Sequence, residues 1–354
     1  MGQPPVFPIE FCTKKYCFFF LKPFIHLNYK FKSNWISKTV PSIFSAKANQ
    51  QTNKFKSMLG INEFEIYQGN RTDTLHSNYV YKYSLPFERI QDKVAWTIFF
   101  QQHWHHSITV SVLYYAFVRL VQHLMRNRPP FSLRSPLLLW NAALALFSVI
   151  GLLRFSEDFG HNLFNNGITY SLCHSCNPDS VAAFWSLLFA VSKLVELGDT
   201  LFIVLRKRPL IFLHYYHHVA VLVYTVHSGR WVLNTLHQDK HSYRALLHRQ
   251  PVHPFSMNFL AHSVMYTYYA LTVYGLKLPR WVAMSVTIIQ TTQMFLGVAV
   301  SLTVLKLKML DGISCQQSVA NLYLAFTIYI TFAFLFVQFF VEAYLSKERK
   351  KKVL

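Results

Sequence analysis

The fold turns on VAAFWSLLFAVSKLVELGDTLFIVL, residues 181–205, which runs straight into Arg206-Lys207-Arg208. At ~1.5 Å per residue such a block is about as long as a bilayer core is thick. Inside it, Lys193, Glu196 and Asp199-Thr200 recur at about three-residue spacing, so they share one helical stripe. Ionisable groups in lipid are costly and face a bundle interior or a cavity. An ion pair between Lys193 and Glu196 that orients the helix is one reading, and direct chemistry is the other.

Working outward, similar blocks lie at 107–125, 136–153, 209–225, 255–274, 281–305 and 321–345, which with 181–205 predicts an all-α polytopic membrane protein of seven spans. Composition agrees: of 354 residues 52% are apolar and only 14% charged, against about 25% charged in a soluble domain. The formal net charge of +20 does not read as a nucleic-acid surface, because the bases sit in short clusters between apolar blocks. Clusters at Arg126, Arg128 and Arg134, at 206–208, at Lys277 and Arg280, and at 347–352 all fall on one side of a seven-span chain, which should be cytosolic. The loop holding Arg230, Lys240, Arg244 and Arg249 is the discordant one.

Residues 1–57 are a different text, with nine Lys, one Glu and no periodicity. They read as an atypical, disordered extension, either a targeting presequence or a segment ahead of a start at Met58. Residues 58–106 then form a lumenal segment, 107–345 the seven-helix domain and 346–354 a basic cytosolic tail. The apolar run at 16–21 is shorter than the ~7–15 residues of a signal-peptide core. Asn70-Arg71-Thr72 is a glycosylation sequon in the lumenal segment. The charge count puts Cys173, Cys176 and Cys315 in lumenal loops, where a bridge is permitted. A zinc site at Cys173-His174-Ser175-Cys176 lacks a second half with ligand spacing, so no metal is expected there.

Three more blocks carry polar stripes. His214, His217 and His218 put three imidazoles on one face; Asn258, His262, Met265-Tyr266 and Tyr269 do likewise on the next helix. Thr287, Gln290 and Gln293 recur by threes and suit interhelical hydrogen bonding. Counting ~1.5 Å per residue from opposite helix ends brings His217 and His262 to within about 8 Å in depth. One chamber near mid-membrane, reached from the cytosol, would hold both. No Cys lies in any span, which excludes a thiolate-based ketosynthase site. Histidine is then the best nucleophile or base available, and its acyl-imidazole is reactive enough for a carbanion to attack. Nearby amides, hydroxyls and lysine would stabilise an oxyanion. Arg206-Lys207-Arg208 stands at the cytosolic mouth, either as plain orientation charge or to attract a polyanion.

In order along four blocks, Lys193-Leu-Val-Glu196-Leu-Gly-Asp199-Thr200, His214-Tyr-Tyr-His217-His218, Asn258-Phe-Leu-Ala-His262-Ser-Val-Met265-Tyr266-Thr-Tyr268-Tyr269 and Thr287-Ile-Ile-Gln290-Thr-Thr-Gln293 resemble the KxxExxDT, HxxHH, NxxxHxxMYxYY and TxxQxxQ motifs of the ELO family of very-long-chain fatty acid elongases. The resemblance covers about residue 83 to the C-terminus. It implies condensation of a long-chain acyl-CoA with malonyl-CoA to a 3-oxoacyl-CoA, CO2 and CoA, with no cofactor. It also implies seven spans, six of them around a closed-ended acyl tunnel.

Residue by residue, it implies that His217 is acylated and that His262 assists at the reacting carbonyl and in the malonyl step. His214 and His218 would support them. Lys193, Glu196, Asp199, Asn258, Tyr266, Gln290 and Gln293 would line the chamber, with Arg206, Lys207 and Arg208 at its mouth. The family's lumenal disulfide maps onto Cys173 and Cys315, leaving Cys176 spare. The 209–213 run looks more like the saturated and monounsaturated branch, and Lys351-Lys352 resembles a dilysine retrieval signal for the endoplasmic reticulum. Implied partners are the bilayer, the two CoA esters, the reductases and dehydratase of the cycle, and a second copy of the chain, with no nucleic acid.

Residues 1–57 and the long 227–254 loop depart from the family pattern. Two rival readings stay open. A di-iron desaturase or hydroxylase also uses HxxHH, with His237 and His241 or His103, His105 and His106 as further boxes. A seven-helix receptor or transporter accounts for the spans but not for the imidazole stripe.

Overall fold

The structure is a computed structural model; it describes residues 77, 79–91, 96, 99–100, 102–177, 179–228, 253–313, 315, 317 and 319–345. Asn70, Lys351, Lys352, the 1–57 extension, the basic tail and most of the 227–254 loop, with His237 and His241, lie outside them. The described residues fold into α1 (His106–Leu124), α2 (Arg134–Cys173), α3 (Val181–Val195), α4 (Gly198–Leu205), α5 (Phe212–Ser228), α6 (His253–Tyr274), α7 (Arg280–Met309) and α8 (Val319–Phe340), which ends in a π turn, Val341–Leu345. Only Glu196 and Leu197 separate α3 from α4, and both keep right-handed helical dihedrals. The expected 181–205 span is therefore one rod, tightened at Glu196-Leu197 by three-residue hydrogen bonds such as Leu197 N–H to Leu194 C=O.

Neighbouring rods close into a ring: α2 packs on α6, α6 on α7, α7 on α8, α8 on α5, α5 on α3, and α3 on α2. Helix α1 stays outside, against α4 and α5. There Tyr114, Val118 and Val204 form a small apolar core with Leu197, Tyr215 and Val219. By length and composition three helices are apolar enough to cross a bilayer: Arg134–Cys173, Arg280–Met309 and Val319–Leu345. The other rods are shorter or carry the polar stripes that mark the ring's interior.

One element departs from expectation. The 136–153 span does not stop there: α2 runs 40 residues, with a non-helical glycine, Gly167, near its far end. At ~1.5 Å per residue the continuous stretch before Gly167 is ~50 Å long, well beyond a ~30 Å bilayer core. The extra turns exist because their polar groups are paired. Residues 77–91 lie against them, with Tyr79 Oη donating to Glu157 (2.7 Å) and Ser77 Oγ to Asp158 (2.6 Å). Buried Glu88 accepts from Arg154 (2.7 and 2.9 Å) and from Trp185 Nε1 (2.8 Å). Burial works against the Glu88 charge, but the hydrogen bonds from Arg154, Trp185 and the Leu85 N–H outweigh it and hold this carboxyl below its ordinary pKa. At the end of α2 a disulfide joins Cys173 to Cys315 in the α7–α8 connection, and Cys176 is outside any disulfide.

Candidate functional site

Inside the ring is a cavity of about 390 Å³. The α5 stripe supplies His214, His217 and His218; α6 supplies Asn258, His262, Tyr266 and Tyr269; α7 supplies Gln290 and Gln293; α4 supplies Asp199. Arg206 and Arg208, just beyond α4, complete the wall. Four separate sequence stripes thus converge because each is the inward face of its helix. The His217 and His262 rings lie 6.4 Å apart, His217 and His218 5.6 Å, and His214 and His218 4.5 Å.

Lys193 and Glu196 are not in the cavity wall. They sit buried directly behind it, as an ion pair of 2.7 Å from Lys193 Nζ to Glu196 Oε1. The ammonium also donates to Asn258 Oδ1 (3.1 Å) and lies 4.2 Å from the centre of the Phe189 ring. Glu196 Oε1 accepts from Ser192 Oγ (3.1 Å) and stands 3.7 Å from His262 Nδ1, while its Oε2 has no hydrogen-bond partner among the described residues. This pair fixes the amide and the imidazole that do reach the cavity.

Asp199 is fixed in the same way, accepting from Trp140 Nε1 (2.6 Å) and Tyr266 Oη (2.7 Å). Trp140 can come so close because residue 198 is glycine: a Cβ there would sit 2.8 Å from the indole. Gln290 Nε2 lies 3.0 Å from Met265 Sδ, a weak acceptor, so its amide retains hydrogen-bonding capacity. Lys207 belongs elsewhere. With φ of 53° it turns away from the cavity, and Nζ donates to the Arg126 carbonyl (3.2 Å). Its neighbours Arg206 and Arg208 are the cations facing the chamber.

Past His217 a second pocket of about 50 Å³ opens, lined by Val221, Tyr224, Thr225, Ala325, Ile328, Tyr329 and Phe332. It shares His217, Asn258, Gln293 and Met294 with the main cavity. His217 therefore stands between a wider chamber, which carries the other histidines and two guanidinium groups, and a narrow, more apolar recess.

Two residues at the site escape sequence reasoning, Asn141 in the cavity wall and Trp140 behind it as a donor to Asp199. Asn141, buried on α2, faces the cavity from a block with no periodic polar stripe, and Trp140 beside it looks like ordinary core. Only the close α2–α6 packing brings them to the site. Among the described residues no group of three or more His, Cys, Asp or Glu is arranged to hold a metal ion, and His103, His105 and His106 stack on one another.

A helical ring around a histidine-rich, positively edged chamber, with three helices among the described residues long and apolar enough to cross a bilayer, fits a polytopic membrane protein. Comparison with known proteins agrees. Residues 99–352 match the model of the ELO: GNS1/SUR4 family. The chain is 54% identical over 291 residues to a putative fatty acid elongase 4 of Caenorhabditis elegans, covering 82% of this chain and 94% of that one. It is 35% identical over 262 residues to human very long chain fatty acid elongase 3 (72% and 88% covered) and 37% identical over 258 to rat very long chain fatty acid elongase 6 (71% and 88%). The chain belongs to the ELO: GNS1/SUR4 family of fatty acid elongases, and the di-iron and receptor readings give way to that membership.

Proposed function

We propose that this protein condenses a long-chain acyl-CoA with malonyl-CoA, as a very-long-chain 3-oxoacyl-CoA synthase working through an acyl-histidine. The observation that carries the reading is the position of His217 between the histidine-lined chamber, with Arg206 and Arg208 in its wall, and the narrow apolar recess. The acyl tail would occupy the recess, widening it by side-chain movement, while the CoA phosphates meet Arg206 and Arg208.

In the first half-reaction an imidazole nitrogen of His217 attacks the thioester carbonyl. The C–S bond breaks, CoA leaves as the thiol with the imidazole proton, and an acyl-imidazole remains. In the second, malonyl-CoA loses CO2, and the resulting enolate carbon attacks the acyl carbonyl. The C–N bond breaks, His217 is restored and a 3-oxoacyl-CoA departs. His262, 6.4 Å from His217, is placed to handle the proton and polarise the reacting carbonyl, and the Asn258 and Gln293 amides are available to the oxyanion. His214 and His218 support the reacting pair. The departing imidazolate takes one proton from water to restore His217, and the two CoA esters supply everything else these steps consume, so no cofactor is required.

The names of the relatives, very long chain fatty acid elongases 3 and 6 among them, support a very long chain substrate, and the 209–213 run a saturated or monounsaturated one. All seven rods would cross the endoplasmic reticulum membrane, with α1 outside the ring, Asn70 lumenal, and Lys351-Lys352 and the C-terminus cytosolic. The product's 3-oxo group requires a reductase next, then a dehydratase and a second reductase, as partners in the membrane; self-association belongs to the same reading.

The test is purified full-length protein incubated with an acyl-CoA and no malonyl-CoA. Intact-protein and peptide mass spectrometry should find one acyl group on His217, discharged as 3-oxoacyl-CoA when malonyl-CoA is added. No adduct on the wild type, or an equal adduct on His217→Ala, would overturn it.

A further inference from the structure

One buried polar chain leaves the ring altogether. His214 Nε2, on α5, lies 3.0 Å from Thr200 Oγ1 on α4, and Thr200 Oγ1 lies 2.5 Å from Tyr114 Oη on α1. Thr200 is fully buried and Tyr114 nearly so. Tyr114 belongs to no motif, and α1 contributes nothing to the cavity wall. A phenol in this setting needs a partner, yet Tyr114 spends its hydroxyl on a residue whose other hydrogen bond is to a cavity histidine.

Proton counting sets the direction. Thr200 has one hydroxyl proton and two neighbours that can each give or take. A phenol is the stronger donor of the two hydroxyls, so Tyr114 donates to Thr200 Oγ1. Thr200 then has its single proton to give, and passing it to His214 Nε2 requires that nitrogen to be unprotonated. The neutral ring therefore carries its proton on Nδ1, and that N–H is the only polar atom left on a ring that lines the chamber.

We propose that Tyr114, from the helix outside the ring, is a positioning residue for the reaction: through Thr200 it locks His214 in the Nδ1–H tautomer, so that His214 meets the chamber as a fixed hydrogen-bond donor. This rests on the acyl-histidine reading for its effect on rate, but not for the tautomer itself. Outer partners of this kind are worth about tenfold or more in activity when they orient a histidine that works at a site.

The experiment uses the full-length chain grown on 15N-histidine, with the His214 ring signals assigned by their loss in His214→Gln. The wild type should show a protonated Nδ1 and a bare, hydrogen-bonded Nε2 at His214. Tyr114→Phe removes one oxygen and should give mixed tautomers, with kcat about tenfold lower and KM for both CoA esters unchanged. Thr200→Val breaks the same chain one atom further in and should reproduce the tautomer change even if Tyr114→Phe fails to fold. Tyr115→Phe, a half-exposed neighbour on α1, should change neither reading. A proton on Nε2 in the wild type, or an unchanged His214 tautomer in both Tyr114→Phe and Thr200→Val, overturns the proposal. If the wild type forms no 3-oxoacyl-CoA the reaction assigned above fails, and the nitrogen signals alone then decide the role of Tyr114.

Discussion

Replacing Lys193 by Met leaves the side-chain volume nearly intact and removes one charge. In the folded protein Glu196 Oε1 then loses its 2.7 Å ammonium partner, and Oε2 has no hydrogen-bond partner among the described residues to compensate. Both side chains are almost wholly buried, so water does not screen the change. Removing one member of such a pair costs about 3–5 kcal/mol, because the remaining charge stays unpaired. At about 2–4 °C per kcal/mol for a large domain, Lys193→Met should lower Tm by roughly 6–20 °C. The assay is thermal unfolding in detergent, followed by a thiol-reactive dye, for Lys193→Met, Glu196→Gln and the double variant. The double variant should recover most of the loss, since two apolar or neutral groups replace two charges, and the cycle should show coupling well above 1 kcal/mol. Additive single effects, or a Lys193→Met protein as stable as the wild type, would refute the pairing. Activity should be low in Lys193→Met and in the double variant, because Asn258 loses its donor.

Two further outcomes follow from geometry. Arg206→Ala and Arg208→Ala should each raise KM for acyl-CoA several-fold, with the difference shrinking at high salt; Lys207→Ala should leave KM alone, because Lys207 is turned to the Arg126 carbonyl, and steady-state kinetics at two ionic strengths would check it. For the Glu88 clamp the sign is that of a carboxyl whose folded pKa lies below its ordinary value of 4.5: its stabilisation is complete above that value and is lost as pH falls through the lower, folded one. Tm measured from pH 7 down to pH 3 should therefore drop more steeply below about 4.5 in the wild type than in Glu88→Gln.

The polar stripes were legible because burying His217, Asn258 or Lys193 in an apolar helix has no cheap explanation other than a shared interior. Even their depth was legible: helix rise alone put His217 and His262 within about 8 Å in depth, and the rings lie 6.4 Å apart. Which side of the wall each residue occupies was not. Lys193 and Glu196 fall behind it and Lys207 outside it, because a residue's place on a stripe says nothing of how far its side chain reaches. The length of α2 was hidden for another reason. Arg154, Glu157 and Asp158 look like the end of a span until residues 77–91, more than sixty positions earlier, supply their partners. Trp140 and Tyr114 carry no polar pattern of their own, so only tertiary contact reveals them.

The pairing of α2 with α6 also bears on how the protein is made. The most extensive helix contact in the ring joins elements that begin more than a hundred residues apart, and α6 comes late in the chain. A chain synthesised from its N-terminus therefore holds Lys193, Glu196 and the α5 histidines in the membrane before Asn258 or His262 exists to receive them. Until α6 arrives, α3, α4 and α5 can lean only on one another, on α2 and on α1, whose Tyr114 already offers Thr200 on α4 a hydrogen bond. The outer helix, with α2, is thus an early shelter for the polar face during biosynthesis, and the chamber is completed only when its late-arriving wall docks.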